Sequence, residues 1–285
     1  MLNLITLKFG DTSARSLGGA ALLFCMTSMP LAAAPIDHLM TLMKFPEVIE
    51  LLAEEGRSMA DDTPDIDLGM PRYAWDSMIT KLYNEEAMHE AFRIELETAF
   101  GATDLTPIVA FYESDLGREI ADLELDARKA ITDDAVLSAA GDMWAELDPQ
   151  SQRAQLIEDY VTSNDLIELN VVGAMNSDIA YFRGFSAGAQ EGMGLSEADI
   201  MREVWAGEPE ARAQVMEWVY GFSALAYQPL DEDEFDDYIA FGKSDAGRAL
   251  NTAVFAAFDN VYADLARGLG AGTALLIQTF DGQEL

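Results

Sequence analysis

The chain has 285 residues, half of them apolar, with 51 acidic side chains against 17 basic ones and a net charge of −34. That balance argues against nucleic acid and anionic membrane surfaces as partners, because nothing would neutralise their phosphates. It leaves cationic partners, cation binding, or plain solubility in a salty habitat, while the apolar half excludes a disordered acidic tail.

Residues 1–33 read as a secretory signal peptide. Lys8 and Arg15 supply the positive flank, an apolar stretch runs from Leu17 to Leu31, and the small residues Ala32, Ala33 and Ala34 follow. Cleavage is expected after Ala33; a cut after Ala34 would leave Pro35 at the new N-terminus. An uncleaved anchor fits less well, because the stretch falls short of the roughly 20 residues that span a bilayer and is interrupted by Gly18, Gly19, Thr27, Ser28 and Pro30. A lipoprotein site at Cys25 would need a small residue where Phe24 stands. Cleavage removes Lys8, Arg15 and Asp11, so the remainder is one unit more negative, and it removes the only cysteine. Export without a disulfide points to the bacterial periplasm, and about 250 remaining residues suffice for a core of their own.

Beyond the leader, nearly every segment carries a helical period. Leu39, Leu42, Met43, Val48, Leu51 and Leu52 share a face, with Pro46 expected to split the pattern in two. Residues 61–69 and 188–194 read as loops. Asp148 before Pro149 predicts a helix start, and Ser196 with Asp199 and Asp231 with Glu234 resemble capping boxes. Alternating β-branched strands are absent from the sequence, so the expected class is all-α.

The chain also says one thing twice. Residues 108–120 read IVAFYESDLGREI and residues 238–250 read YIAFGKSDAGRAL, so Phe111, Ser114, Asp115, Gly117 and Arg118 recur 130 positions later as Phe241, Ser244, Asp245, Gly247 and Arg248. The echo predicts two tandem helical repeats packed as a bundle, over residues 35–160 and 161–285. In each corner a short helix ends at the phenylalanine. The serine caps a new helix, contributing about 1 kcal/mol, and the aspartate meets the positive end of the helix dipole. A glycine in the first turn costs roughly 1 kcal/mol of propensity, which is worth it where another helix or the phenylalanine ring crosses closely. The arginines are expected to pair with carboxylates of the same bundle; the alternative is an anionic ligand held near a helix N-terminus.

The pattern F-x-x-S-x-x-G-[RKQ] after a short amphipathic helix resembles the domain of unknown function 2059 family of exported bacterial proteins. Its specific part covers about residues 90–131 and 216–262. That family often carries proline where this chain has Asp115 and Asp245, and both residue types suit a first helical position. The resemblance implies an all-helical domain and a periplasmic location, with no established catalytic residue and no established ligand.

Other motifs carry less. GFSAG at 184–188 matches the nucleophile-elbow pattern around Ser186, but a helical segment precedes it and both histidines, His38 and His89, lie upstream; close helix packing by Gly184, Gly188 and Gly192 is the competing reading. His38 with Met40 and Met43 suggests a copper site, set against the shared apolar stripe. Asp61, Asp62, Asp65 and Asp67 resemble a calcium loop only loosely, and GLGAG at 268–272 lacks the lysine of a phosphate loop. No catalytic set, cofactor site or metal site is expected. The expected function is a non-enzymatic helical protein that binds another envelope component, with a cation or cationic-ligand binder as the alternative and a Ser186 hydrolase as the least supported reading. An apolar groove between the repeats, lined by Trp75, Tyr83, Trp205 and Trp218, is the expected working surface.

Overall fold

The computed structural model describes residues 33–62, 71–190 and 194–280. Among them every regular element is helical. In chain order these are α1 (Ala33–Leu42), α2 (Phe45–Asp62), α3 (Arg72–Leu82), α4 (Glu85–Phe100), α5 (Thr106–Tyr112), α6 (Asp115–Ala130), α7 (Asp134–Glu146), α8 (Gln152–Ser163), α9 (Leu166–Gly188), α10 (Glu197–Ala226), α11 (Glu232–Lys243) and α12 (Asp245–Phe280). Residues 1–32 of the expected leader, Asp65, Asp67 and Gly192 lie outside the described residues. Among those residues no helix is long and apolar enough to cross a membrane.

Local chemistry sets most boundaries. The break expected near Pro46 falls at Lys44, whose φ of 59° ends α1 and lets α2 leave in a new direction. Asp165 does the same between α8 and α9 with φ 53°. Asp231 and Glu234 form a reciprocal capping box on α11, and the Ser196 hydroxyl accepts from the Asp199 N–H on α10. The start expected at Asp148 shifts: Asp148 closes a turn by accepting from the Gln150 N–H, and Ser151 caps α8 instead. Residues 61 and 62, expected in a loop, end α2, and Gly188 ends α9.

Two large cores result. One joins α1, α2, α4 and α5 to the first half of α12, around Phe45, Phe92 and Phe258. The other joins α8, α9, α10 and α11 to Ile120, Ala127 and Ile131 at α6 and its end. Each core therefore takes residues from the far half of the chain. The expected division after residue 160 falls inside α8, one turn region beyond the connection at 147–151.

α12 runs parallel to α9 along most of its length. The two approach so closely that a Cβ on Gly184 would lie 2.1 Å from the Arg267 carbonyl oxygen, and one on Gly270 equally near that of Tyr181. The GLGAG stretch is thus continuous helix against α9 and α3. Gly184 and Gly188 serve the close packing expected of them, since a Cβ on Gly188 would meet Ala271.

Candidate functional site

The two corners fold alike. In the first, the Ser114 hydroxyl donates to the Phe111 carbonyl at 2.6 Å and accepts from the Gly117 N–H at 3.0 Å; in the second, Ser244 does the same with Phe241 and Gly247 at 2.6 and 3.0 Å. Asp115 and Asp245 open α6 and α12 with fully exposed carboxylates. Each is gripped by the arginine three residues on, Arg118 at 2.5 Å and Arg248 at 2.8 Å. Those arginines also donate to the carbonyls of Glu113 and Lys243. Internal pairing is therefore the role the structure gives both arginines.

The close crossing expected at the glycines is made by the backbone end of the preceding helix, α5 or α11, and not by the phenylalanine ring. A Cβ on Gly117 would sit 2.0 Å from the Phe111 carbonyl oxygen, and one on Gly247 2.1 Å from that of Phe241. Glycine is required because the preceding helix turns back onto the first turn of the next.

The sequence places the corners far apart, and the fold brings them together. The Phe111 and Phe241 rings stack face to face with centroids 3.8 Å apart. Around this stack, His38 on α1 meets Glu113 at 2.9 Å, and Asp159 on α8 meets Lys243 at 2.6 Å.

Beside the stack lies a polar cluster that the sequence reading missed. Glu124 on α6 is 2 % exposed and accepts from the hydroxyls of Tyr227 at 2.7 Å and Tyr238 at 2.8 Å. Tyr227 and Tyr160 share a hydrogen bond at 2.8 Å, and Tyr112 is buried in the same region. Burial, reinforced by the Glu124 charge, pushes the hydroxyls of Tyr112, Tyr160, Tyr227 and Tyr238 above the usual phenol range. Arg153 closes one flank, donating to the Tyr227 and Leu230 carbonyls and lying over the Phe235 ring. A turn beyond Glu124, the almost fully buried Arg128 pairs with Glu55 on α2. The available signal was the pattern itself: Ile120, Ala121, Glu124, Leu125, Ala127 and Arg128 form one buried face of α6 with an acid and a base set into it. Chemically this is a closed carboxylate held by phenol donors, a rigid pin between α6, α8, α10 and α11.

Ser186 sits near the end of α9, flanked by helix on its N-terminal side, and its hydroxyl accepts from the Leu195 N–H at 3.0 Å; no strand-to-helix elbow is formed there. Met40 and Met43 are buried in the first core, while His38 points to Glu113. Among the described residues no cluster of three His, Cys, Asp or Glu is placed to hold a metal. The groove expected between repeats is not formed by its named residues. Trp75 packs beside Ile79 and Leu269, and Tyr83 lies against Gly56. Trp218 is buried and stacks on Phe222, whereas Trp205 is 61 % exposed on α10. An open surface depression is instead lined by Pro46, Asn84, Glu85, Glu86 and His89.

Residues 86–144 match a family described as an uncharacterized protein conserved in bacteria (DUF2059). This stretch runs from the first turn of α4 to Trp144 on α7 and contains the first corner whole. Comparison with curated proteins and with solved structures finds no match.

Proposed function

We propose that this is a non-catalytic binding module of the bacterial cell envelope, exported by cleavage of residues 1–33 and built from two copies of one helical unit clasped back to back. The observation that carries the reading is the Phe111–Phe241 stack between two corners of matching geometry. All ten echoed residues spend their polar groups or their volume on the corner itself, so they serve architecture and leave partner recognition to the outer helix faces.

Further features support two copies. Lys44 and Asp165, the two non-glycine residues of positive φ among the described residues, stand 121 positions apart, each between an opening helix and the next. His38 and Asp159 have the same separation, and their partners Glu113 and Lys243 follow the phenylalanines by two residues. The opening helices thus correspond as the corners do, with the charge sense of the bond reversed. The copies differ at the polar cluster: Glu124 corresponds to buried Val254, and Tyr112 to Gly242.

Two measurements test the reading. N-terminal sequencing of protein recovered from the periplasm is expected to begin at Ala34; a chain beginning at Met1 would contradict export by cleavage. Cross-linking in intact cells is expected to capture a defined envelope partner. A purified protein that hydrolyses a fluorophosphonate-sensitive ester, with the activity lost in Ser186→Ala, would replace the binding module by an enzyme.

A further inference from the structure

Resting on the binding-module reading, we propose that the first half of α10 is a docking face for a basic amphipathic helix of the partner protein. Trp205, Pro209, Ala213 and Met216 are all exposed, with Trp205 at 61 % and Met216 at 45 %. At 100° per residue these four fall within one stripe, and their span is about 17 Å along the axis. Trp205 is the most exposed tryptophan of the chain.

Along one edge of this stripe run Glu203, Glu210 and Glu217, exposed and spaced by sevens; on the other, Arg212 is neutralised by Glu168 and Glu208, as Arg202 one turn before Trp205 is by Asp199. A heptad row of like charge beside an apolar seam is the arrangement that selects a helix carrying lysine or arginine on its matching edge. Pro209 adds a second attraction of the same sign. It lies inside α10 and has no N–H, so the Trp205 carbonyl loses its helical donor and offers an acceptor at the seam. A Cβ on Gly207 would meet nothing within 4 Å, so that flank of the helix is open, while Val204 and Val215 anchor this stretch in the second core. Glycine and proline both weaken a helix interior, and here they stand within one turn of an exposed tryptophan.

The charge decides among occupants. A second copy of this chain would bring a net charge of −34 against the same sign, and an anionic lipid surface would be repelled likewise. A basic helix with an apolar face satisfies the seam, the glutamate row and the orphan carbonyl together.

The test uses the full mature chain and a synthetic 21-residue helix with leucine at heptad positions a and d and lysine at e and g; its counterpart has glutamate in place of lysine. Calorimetry at physiological ionic strength is expected to give saturable one-to-one binding of the lysine peptide and none of the glutamate peptide. Trp205→Ala and the triple variant Glu203→Gln, Glu210→Gln, Glu217→Gln should each weaken binding about tenfold, with unchanged circular dichroism and melting temperature. Equal binding by parent and both variants would overturn the proposal, since the peptide would then be held by the general acidity of the protein. A Trp205-dependent dimer in high salt would also overturn it by naming a second copy as the occupant. A cellular partner that cross-links through another face and survives Trp205→Ala would overturn this assignment while leaving the binding module standing.

Discussion

The rings of Phe111 and Phe241 lie 3.8 Å apart at 5°, and each touches both hydrophobic cores. A contact at the meeting point of two cores couples them. Truncating either ring to alanine is expected to cost about 1–3 kcal/mol, below the value for a wholly buried phenylalanine because both are only partly buried. The double variant should cost less than the sum of the singles by about 0.5–1.5 kcal/mol. Urea unfolding of the four proteins measures this coupling, and strict additivity would mean that the rings act independently.

The corner glycines provide a second check. Gly117→Ala and Gly247→Ala each drive a methyl group into the preceding carbonyl and should cost about 1–3 kcal/mol or more. Ser114→Ala and Ser244→Ala remove a cap for about 1 kcal/mol. Thermal unfolding should rank both glycine variants below both serine variants. The reverse order would place the constraint in the hydrogen bond rather than in the backbone approach.

The tyrosines around Glu124 give a third. Their raised values mean that the folded protein holds protons which the unfolded chain releases near pH 10. Their contribution to stability is thus complete below that pH and declines as pH rises through it. Ultraviolet titration should find Tyr112, Tyr160, Tyr227 and Tyr238 silent until the fold is lost. Tyr227→Phe, which removes a donor from a buried carboxylate, should cost about 1–3 kcal/mol at neutral pH.

Asp178 predicts the opposite use of protons. Burial raises its carboxyl to about 6, so the folded state binds a proton there between its ordinary value of 3.8 and that point. Stability from this group is greatest in acid and falls as pH rises from about 4 to 6. Asp178→Asn should raise the melting temperature at pH 7.5, and the gain should vanish near pH 4. A gain independent of pH would show that packing, not charge, was relieved.

Much of the corner was legible because its chemistry is local. Ser114 with Gly117, Asp115 with Arg118, and their partners near 244–248 interact across three residues, a spacing written in the sequence. The groove expected from Trp75, Tyr83, Trp205 and Trp218 failed for the complementary reason: a tryptophan has the same letter whether it fills a core, as Trp218 does, or faces water, as Trp205 does. The shared spacing of 121 between His38 and Asp159 and between Lys44 and Asp165 stayed hidden because it differs from the 130 of the corners, so no single offset aligns both.

The sequence by itself determined that the chain is helical and strongly acidic, and that Ser114, Ser196, Asp231 and Ser244 start helices, since hydrophobic period, net charge and capping depend on neighbours within one or two turns. Only the tertiary structure decided that Phe111 meets Phe241, that Glu124 lies among tyrosines from α8, the end of α10 and α11, and that α12 enters the first core. Those contacts join residues 67 to more than 100 positions apart, and their pairing follows from how whole helix faces exclude water together, which no local spacing encodes.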